Sequence, residues 1–227
     1  MIHPGRALQC VVFDLDGTLV DTADDFVPAV QKLREEYGHG PMDANAIRAS
    51  VSNGSRALVT LSLGIQRDEK GFEDARLRLL DLYDEVLGRF ATPYAGVPAL
   101  LRELEIQGIR WGVATNKPRA YAAPLLKMLK LETDSLVCPD DVAQAKPHPE
   151  SLFKACADLN SEPRRSIYIG DHLRDIEAGQ RAGMYTVAAA YGYIEAGDCA
   201  DRWGADIIIT DSEQLADAIL NEEGIPS

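Results

Sequence analysis

Four short segments of the chain carry residues that can act together on one substrate. Asp14-Leu15-Asp16-Gly17-Thr18 follows an apolar run, and Thr115-Asn116 and Gly170-Asp171 follow two others. Lys146 lies in Ala145-Lys146-Pro147, and Asp175 comes four residues after Asp171. Each residue alone has an ordinary explanation as a loop residue, a helix cap or a first-turn acid. Their placement after successive apolar runs is a less ordinary coincidence. Carboxylates converging on one point need a cation, and oxygen-only donors at close quarters suit Mg²⁺. A lysine and a threonine hydroxyl beside that ion make a phosphoryl cradle. One aspartate can then act as nucleophile, and a second can protonate the leaving oxygen and activate water.

The elements that must position these residues can be read from apolar periodicity. Residues 8–13 read as a buried strand stopped by the Asp-Gly turn. From about 22 to 88 the period becomes helical, with Phe26, Val30, Leu33 and Tyr37 on one stripe and Phe72, Ala75, Leu79, Leu82 and Val86 on another. Glycine and proline punctuate that stretch into four helices. Strands at 109–114, 136–138, 166–170, 185–190 and 206–209 then alternate with helices at 96–107, 118–130, 149–159, 173–182 and from 212. This alternation predicts right-handed βαβ units, hence an α/β fold with a parallel Rossmann-like sheet. The expected division is a core of residues 1–20 and 89–227 with a helical cap, residues 21–88, inserted after the first strand. In such a sheet ligands sit beyond the carboxyl ends of the strands, where all four segments fall.

Composition narrows the function further. Hydrophobic residues at 46% and charged residues at 26% match an ordinary globular protein. Lysine and arginine total 23 against 36 acids, a net charge of −13, which argues against nucleic acid or an anionic membrane surface as partner. No apolar run approaches a membrane span, and no signal peptide is evident. Cys10, Cys138, Cys156 and Cys199 are scattered without a CxxC pair, as expected of buried thiols in a reducing cytoplasm.

Phe13-Asp14-Leu15-Asp16-Gly17-Thr18-Leu19-Val20-Asp21-Thr22 resembles the first signature of the haloacid-dehalogenase superfamily of phosphatases. Ala114-Thr115-Asn116-Lys117 is similar to its second motif, Lys146-Pro147 to its third, and Gly170-Asp171 through Asp175 to its fourth. The resemblance covers nearly the whole chain and implies a Rossmann-like core with a helical cap. It implies Asp14 as nucleophile and Asp16 as general acid/base. Thr115, Asn116 and Lys146 would bind the phosphoryl group, Lys146 also holding the nucleophile. Mg²⁺ would be held by Asp14, Asp171 and the backbone carbonyl of Asp16, with Asp175 a ligand through water or a partner of Lys146. His172 departs from the family pattern and receives no role.

Within the superfamily the chain resembles phosphoglycolate phosphatases. Trp111–Pro118, Cys138-Pro139-Asp140, Asp171–Glu177, Tyr191–Ile194 and Trp203–Asp206 look most like a neighbouring group, the N-acetylmuramic acid 6-phosphate phosphatases of peptidoglycan recycling. Both readings imply a small anionic phosphorylated metabolite as partner. Lys117 and Lys146 on the core and Arg56 on the cap are the candidate cations for it. Arg56, in the turn Ser52-Asn53-Gly54-Ser55-Arg56, is expected to read the substrate's carboxylate. A sugar phosphomutase of the same fold and a receiver-type signalling protein remain alternatives. Asp16 speaks against a hydrolytic dehalogenase.

Overall fold

The computed structural model describes residues 8–195 and 197–220. β1 (Cys10–Phe13) leads into a short β2 (Val20–Asp21), and the chain then leaves the sheet for four helices. These are α1 (Ala23–Glu36), α2 (Ala44–Ala49), α3 (Gly54–Leu63) and α4 (Phe72–Val86). It returns through β3 (Thr92–Pro93) and α5 (Val97–Ile106) to β4 (Arg110–Ala114), α6 (Arg119–Met128) and β5 (Ser135–Val137). α7 (Glu150–Asp158), β6 (Ser166–Gly170), α8 (Leu173–Ala182), β7 (Tyr185–Ala189), β8 (Ile207–Ile209) and α9 (Leu215–Leu220) complete it.

Six strands form one parallel sheet in the order β5-β4-β1-β6-β7-β8. β1 is central, and the chain winds outward from it in both directions, so the strand order reverses there. β1, β6 and β7 are buried throughout, in keeping with their largely apolar sequences. Alternate residues serve opposite layers. Val11, Phe13, Ile167 and Ile169 pack with α5, α6 and α9, whereas Cys10, Val12 and Tyr168 pack with α7 and α8.

The first of these clusters runs without a break from the sheet into the inserted helices through Leu15, Leu19, Phe26, Leu79 and Leu82. Phe26 on α1 stacks on Tyr83 of α4 at 3.9 Å between ring centres, and Tyr83 meets Tyr121 of α6 at 5.7 Å. The two expected apolar stripes are buried, except that Tyr37, which caps the end of α1, is 41% exposed and Val86, at the end of α4, is half-buried. The antiparallel β2–β3 ribbon, pairing Val20 with Pro93 and Asp21 with Thr92, has no counterpart in the sequence reading. Two residues per strand are too few for a detectable alternation. Of the cysteines, Cys10, Cys138 and Cys156 are buried as expected, but Cys199 is half-buried, its thiol 3.0 Å from Asp201 Oδ2. No described helix is long and apolar enough to cross a membrane.

Asp25 fastens the returning chain. It is fully buried, and its carboxylate accepts the amides of Gly88, Phe90 and Ala91 at 2.7, 2.8 and 3.2 Å. These amides have left α4 and reached no strand, so an aspartate on α1 is their partner. Asp25→Ala strands them and should cost about 3 kcal/mol, lowering Tm by about 6–12 °C in a chain of this length. Thermal unfolding followed by circular dichroism measures it, and an unchanged Tm would show that water replaces the carboxylate.

Candidate active site

The sheet register brings the sequence-predicted residues to one edge. Phe13 pairs with Val113 on one side and Ile169 on the other, so Asp14 is level with Ala114 and Gly170. Thr115 and Asp171 are one residue further out. Their backbones stay tied to the sheet: Asp14 N donates to Ile169 O at 2.8 Å and Thr115 N to Val137 O at 3.0 Å. With Asp16, Lys117, Lys146 and Arg174, Asp14 and Thr115 line a cleft of about 230 Å³ whose opposite wall is Phe26, Val51–Ser55, Arg76, Leu80 and Tyr83.

Asp14 is buried beneath the cleft. Its Oδ1 accepts from Leu15 N at 2.8 Å and faces Lys146 Nζ at 2.9 Å, which leaves Oδ2 without a donor among the described residues. Burial, then the Asp175 and Asp16 charges, push its pKa up to about 6 against the pull of Lys146. Lys146 also lies 2.7 Å from Asp175 Oδ1 and donates to Tyr168 Oη at 2.6 Å. Burial works against its charge, yet Asp14 and Asp175 hold its pKa above the ordinary lysine value.

Asp16 is tied by one oxygen as well. Its Oδ1 accepts from Thr22 Oγ1 at 2.6 Å and Lys117 Nζ at 2.9 Å. Lys117 Nζ lies 5.0 and 4.7 Å from the ring centres of Phe26 and Tyr83, so inserted helices supply an aromatic face to a core lysine. Burial opposes the Lys117 charge too, but Asp16 keeps its pKa raised. Thr115 Oγ1 accepts the Lys117 amide at 3.0 Å. The Asn116 side chain is engaged with the Lys146 backbone, donating to its carbonyl and accepting its amide, both at 3.1 Å. That pairing holds the Lys146 segment against β4.

Asp14, Asp171 and Asp175 each offer an oxygen within 4.8 Å of the others, all three residues buried. Asp171 Oδ1 accepts from Thr18 Oγ1 at 3.3 Å, and Oδ2 from Tyr193 N at 2.9 Å and Ser52 Oγ at 3.0 Å. Burial and the two neighbouring carboxylates raise its pKa well above the ordinary range. Gly17, at φ +80°, permits this packing, because a Cβ there would stand 2.1 Å from Asp171 Oδ2. Asp175 is the partner of Lys146, but its Oδ2 is buried with no hydrogen bond. Three carboxylates against one ammonium leave two negative charges uncompensated. An orphaned buried oxygen in an all-oxygen donor set of that charge fits a divalent cation.

The other wall is locked onto the core. Arg174 donates to Ser52 O at 2.7 Å and Asn53 Oδ1 at 2.6 Å, and Asn53 Nδ2 donates to Glu195 Oε1. His172, without a role in the sequence reading, caps α8 by accepting the Arg174 amide at its Nδ1.

Arg56 does not join this site. It is exposed and lines a separate depression with Arg67, Glu69 and Glu73. The cause is helical phase: Gly54 opens α3 at the cleft, and two residues of α-helix turn Arg56 about 200° away. The cation that α4 brings to the cleft is Arg76, which the sequence reading missed. Arg76, Leu80 and Tyr83 recur at i, i+4 and i+7, a second stripe beside Phe72, Ala75, Leu79 and Leu82, and that spacing was the available signal.

Comparison with known proteins places the chain in a family. The profile of a family described as haloacid dehalogenase-like hydrolase matches residues 11–189. An N-acetylmuramic acid 6-phosphate phosphatase of Pseudomonas aeruginosa is 44% identical over 93% of this chain and 95% of its own length. A phosphoglycolate phosphatase of Xanthomonas campestris is 35% identical over 92% of this chain and 96% of its own. The crystal structure of a predicted phosphoglycolate phosphatase from Haemophilus somnus superposes with a TM-score of 0.82 at 23% identity, covering 92% of this chain and 97% of that one. With the profile running from β1 to β7 and relatives aligned nearly end to end, the chain belongs to the haloacid dehalogenase-like hydrolase family.

Proposed function

We propose that this hydrolase is a Mg²⁺-dependent phosphatase that cleaves a small phosphomonoester through an aspartyl-phosphate on Asp14, with N-acetylmuramic acid 6-phosphate as substrate. The observation that carries the chemistry is Asp14 itself, a buried carboxylate at the cleft floor with Oδ1 tied to Lys146 and Oδ2 untied. The relative sharing 44% of its residues supports the choice of substrate over phosphoglycolate.

In this reading Asp14 Oδ2 attacks phosphorus as the bond to the ester oxygen breaks. Asp16 gives its proton to the departing oxygen, so the sugar leaves as an alcohol. Asp16 then takes a proton from water, whose oxygen attacks phosphorus. The bond to Asp14 breaks, inorganic phosphate is released and the Asp14 carboxylate is restored. Thr22 and Lys117 orient Asp16 through Oδ1 and leave Oδ2 for both proton transfers. Thr115 and Lys146 hold the phosphoryl oxygens, and an Asn116 contact with them would come from its backbone amide, the side chain being engaged elsewhere. Asp14, Asp171 and the Asp16 carbonyl would hold Mg²⁺, with Asp175 supporting them. The ion supplies the positive charge that lets an anionic nucleophile approach an anionic ester.

Phosphate release from N-acetylmuramic acid 6-phosphate and from phosphoglycolate, compared by kcat/KM, tests the substrate. At least tenfold preference for the sugar phosphate is expected, and preference for phosphoglycolate refutes the choice. Asp14→Asn should abolish turnover of every ester while remaining folded. Asp16→Asn should cost about 10²–10⁴-fold on the sugar phosphate and less on p-nitrophenyl phosphate, whose leaving group needs no proton. Retained turnover in folded Asp14→Asn contradicts the covalent route.

The carboxylate cluster also makes stability depend on pH and metal. The folded pKa of Asp14, about 6, exceeds its ordinary 3.8, so its contribution to stability is complete below about pH 4 and lost as pH rises through 6. Asp171 shifts in the same direction. A bound cation reverses the loss. The Tm gain on replacing EDTA with saturating Mg²⁺ should therefore be small near pH 4 and grow past pH 6. At about 100 times Kd it corresponds to ~2.7 kcal/mol, or about 5–10 °C. A gain independent of pH would place the ion elsewhere.

A further inference from the structure

Among the described residues, the cleft contains one cation that neither the proposed chemistry nor the lock between its two walls uses. Lys146 is engaged with Asp14 and Asp175, Lys117 with Asp16, and Arg174 with Ser52 and Asn53. Among the described residues Arg76 binds only Glu73, one turn back on its own helix, its Nε lying 3.0 and 2.9 Å from the two carboxylate oxygens. The Glu73 side chain is 57% exposed while that of Arg76 is 20% exposed. An ion pair with so hydrated a partner on the same helix face is held weakly and can exchange.

The position of Arg76 carries a distance. Tyr83 marks the phosphoryl end of the cleft, because its ring centre lies 4.7 Å from Lys117 Nζ. Seven residues of helix at ~1.5 Å each place the Arg76 backbone about 10 Å from that of Tyr83. Leu80 lies between them on the same wall. Resting on the phosphatase reading above, we infer that Arg76 determines specificity by binding a carboxylate carried on a sugar well away from the phosphate. The ring then lies along Leu80 and Tyr83. In phosphoglycolate the carboxylate is within about 4 Å of phosphorus at bond lengths of ~1.5 Å, too near to reach Arg76. In N-acetylmuramic acid 6-phosphate the lactyl carboxylate is linked through O3, about eight bonds from phosphorus against about three in phosphoglycolate, a reach of roughly 8–10 Å at ~1.5 Å per bond. Its separation matches the stripe, and the guanidinium fork matches its two oxygens.

The test compares N-acetylmuramic acid 6-phosphate with N-acetylglucosamine 6-phosphate, which keeps the ring and phosphate but lacks the carboxylate. Arg76→Ala should lose roughly 10- to 100-fold more kcat/KM on the first than on the second, chiefly through KM. Arg76→Lys, which keeps the charge without the fork, should recover only part of it. Glu73→Gln frees Arg76 and should lower KM for the carboxylate-bearing sugar alone, a gain that misfolding cannot imitate. Equal losses on both sugars, or a Glu73→Gln protein with unaltered KM for both, overturn the inference. Wild-type protein inactive on N-acetylmuramic acid 6-phosphate refutes the substrate itself. Wild-type activity there with no selective effect of Arg76 variants refutes only the role of Arg76.

Discussion

Mutual repulsion among Asp14, Asp171 and Asp175 is the constraint on which the rest of the site depends. Two unit charges 4.8 Å apart repel by about 3–4 kcal/mol at an effective dielectric of ~20. Three buried carboxylates at that spacing do not persist by packing alone. Lys146 offsets part of the repulsion, and the residues around it are arranged to keep it there. Tyr168 accepts from its ammonium, Asn116 grips its backbone, and burial leaves it no water to turn toward. The remaining negative charge would give a divalent cation its affinity. The same excess raises the Asp14 and Asp171 pKa values, so a metal held there would compete with protons for one cluster.

The inserted helices complete this electrostatic arrangement as well as covering it. Ser52 donates to Asp171, and Phe26 and Tyr83 present their faces to Lys117. The carboxylate that holds this lysine comes from the core, but its aromatic contacts would be lost if the helices withdrew. Tyr193, from the core, fixes where the insertion departs: its hydroxyl donates to Asp21 Oδ1 at 2.7 Å and accepts the amides of Thr22 and Ala23 at 2.6 and 2.8 Å. Departure and return are thus gripped by Tyr193 and Asp25. The apolar cluster continues between both parts, so the insertion and the sheet share one core.

Much of the site's geometry was legible in the order of residues because it resides on a sheet. Apolar runs ending in Asp14, Thr115 and Asp171 imply buried strands, and parallel strands in register bring such ends together whatever the loops do. A strand end leaves little freedom in the position of the next residue, so spacing along the chain translated directly into proximity. The helical character of residues 22–88 was equally plain from its period.

What tertiary structure alone decided concerns residues whose direction depends on phase or on distant partners. Arg56 and Arg76 are both arginines on inserted helices, and only the 100° step per residue from Gly54, with the docking of α4, puts one outside the cleft and the other inside. Asp25 reads as a first-turn acid of α1, yet it serves amides more than sixty residues away. Asn116 resembles a phosphate contact by motif, but its side chain is engaged with Lys146. The chain determines locally which strands and helices form, since periodicity is a property of neighbours. It determines the partners of polar side chains only through the whole packing, because a buried donor or acceptor takes whichever group the fold brings within about 3 Å.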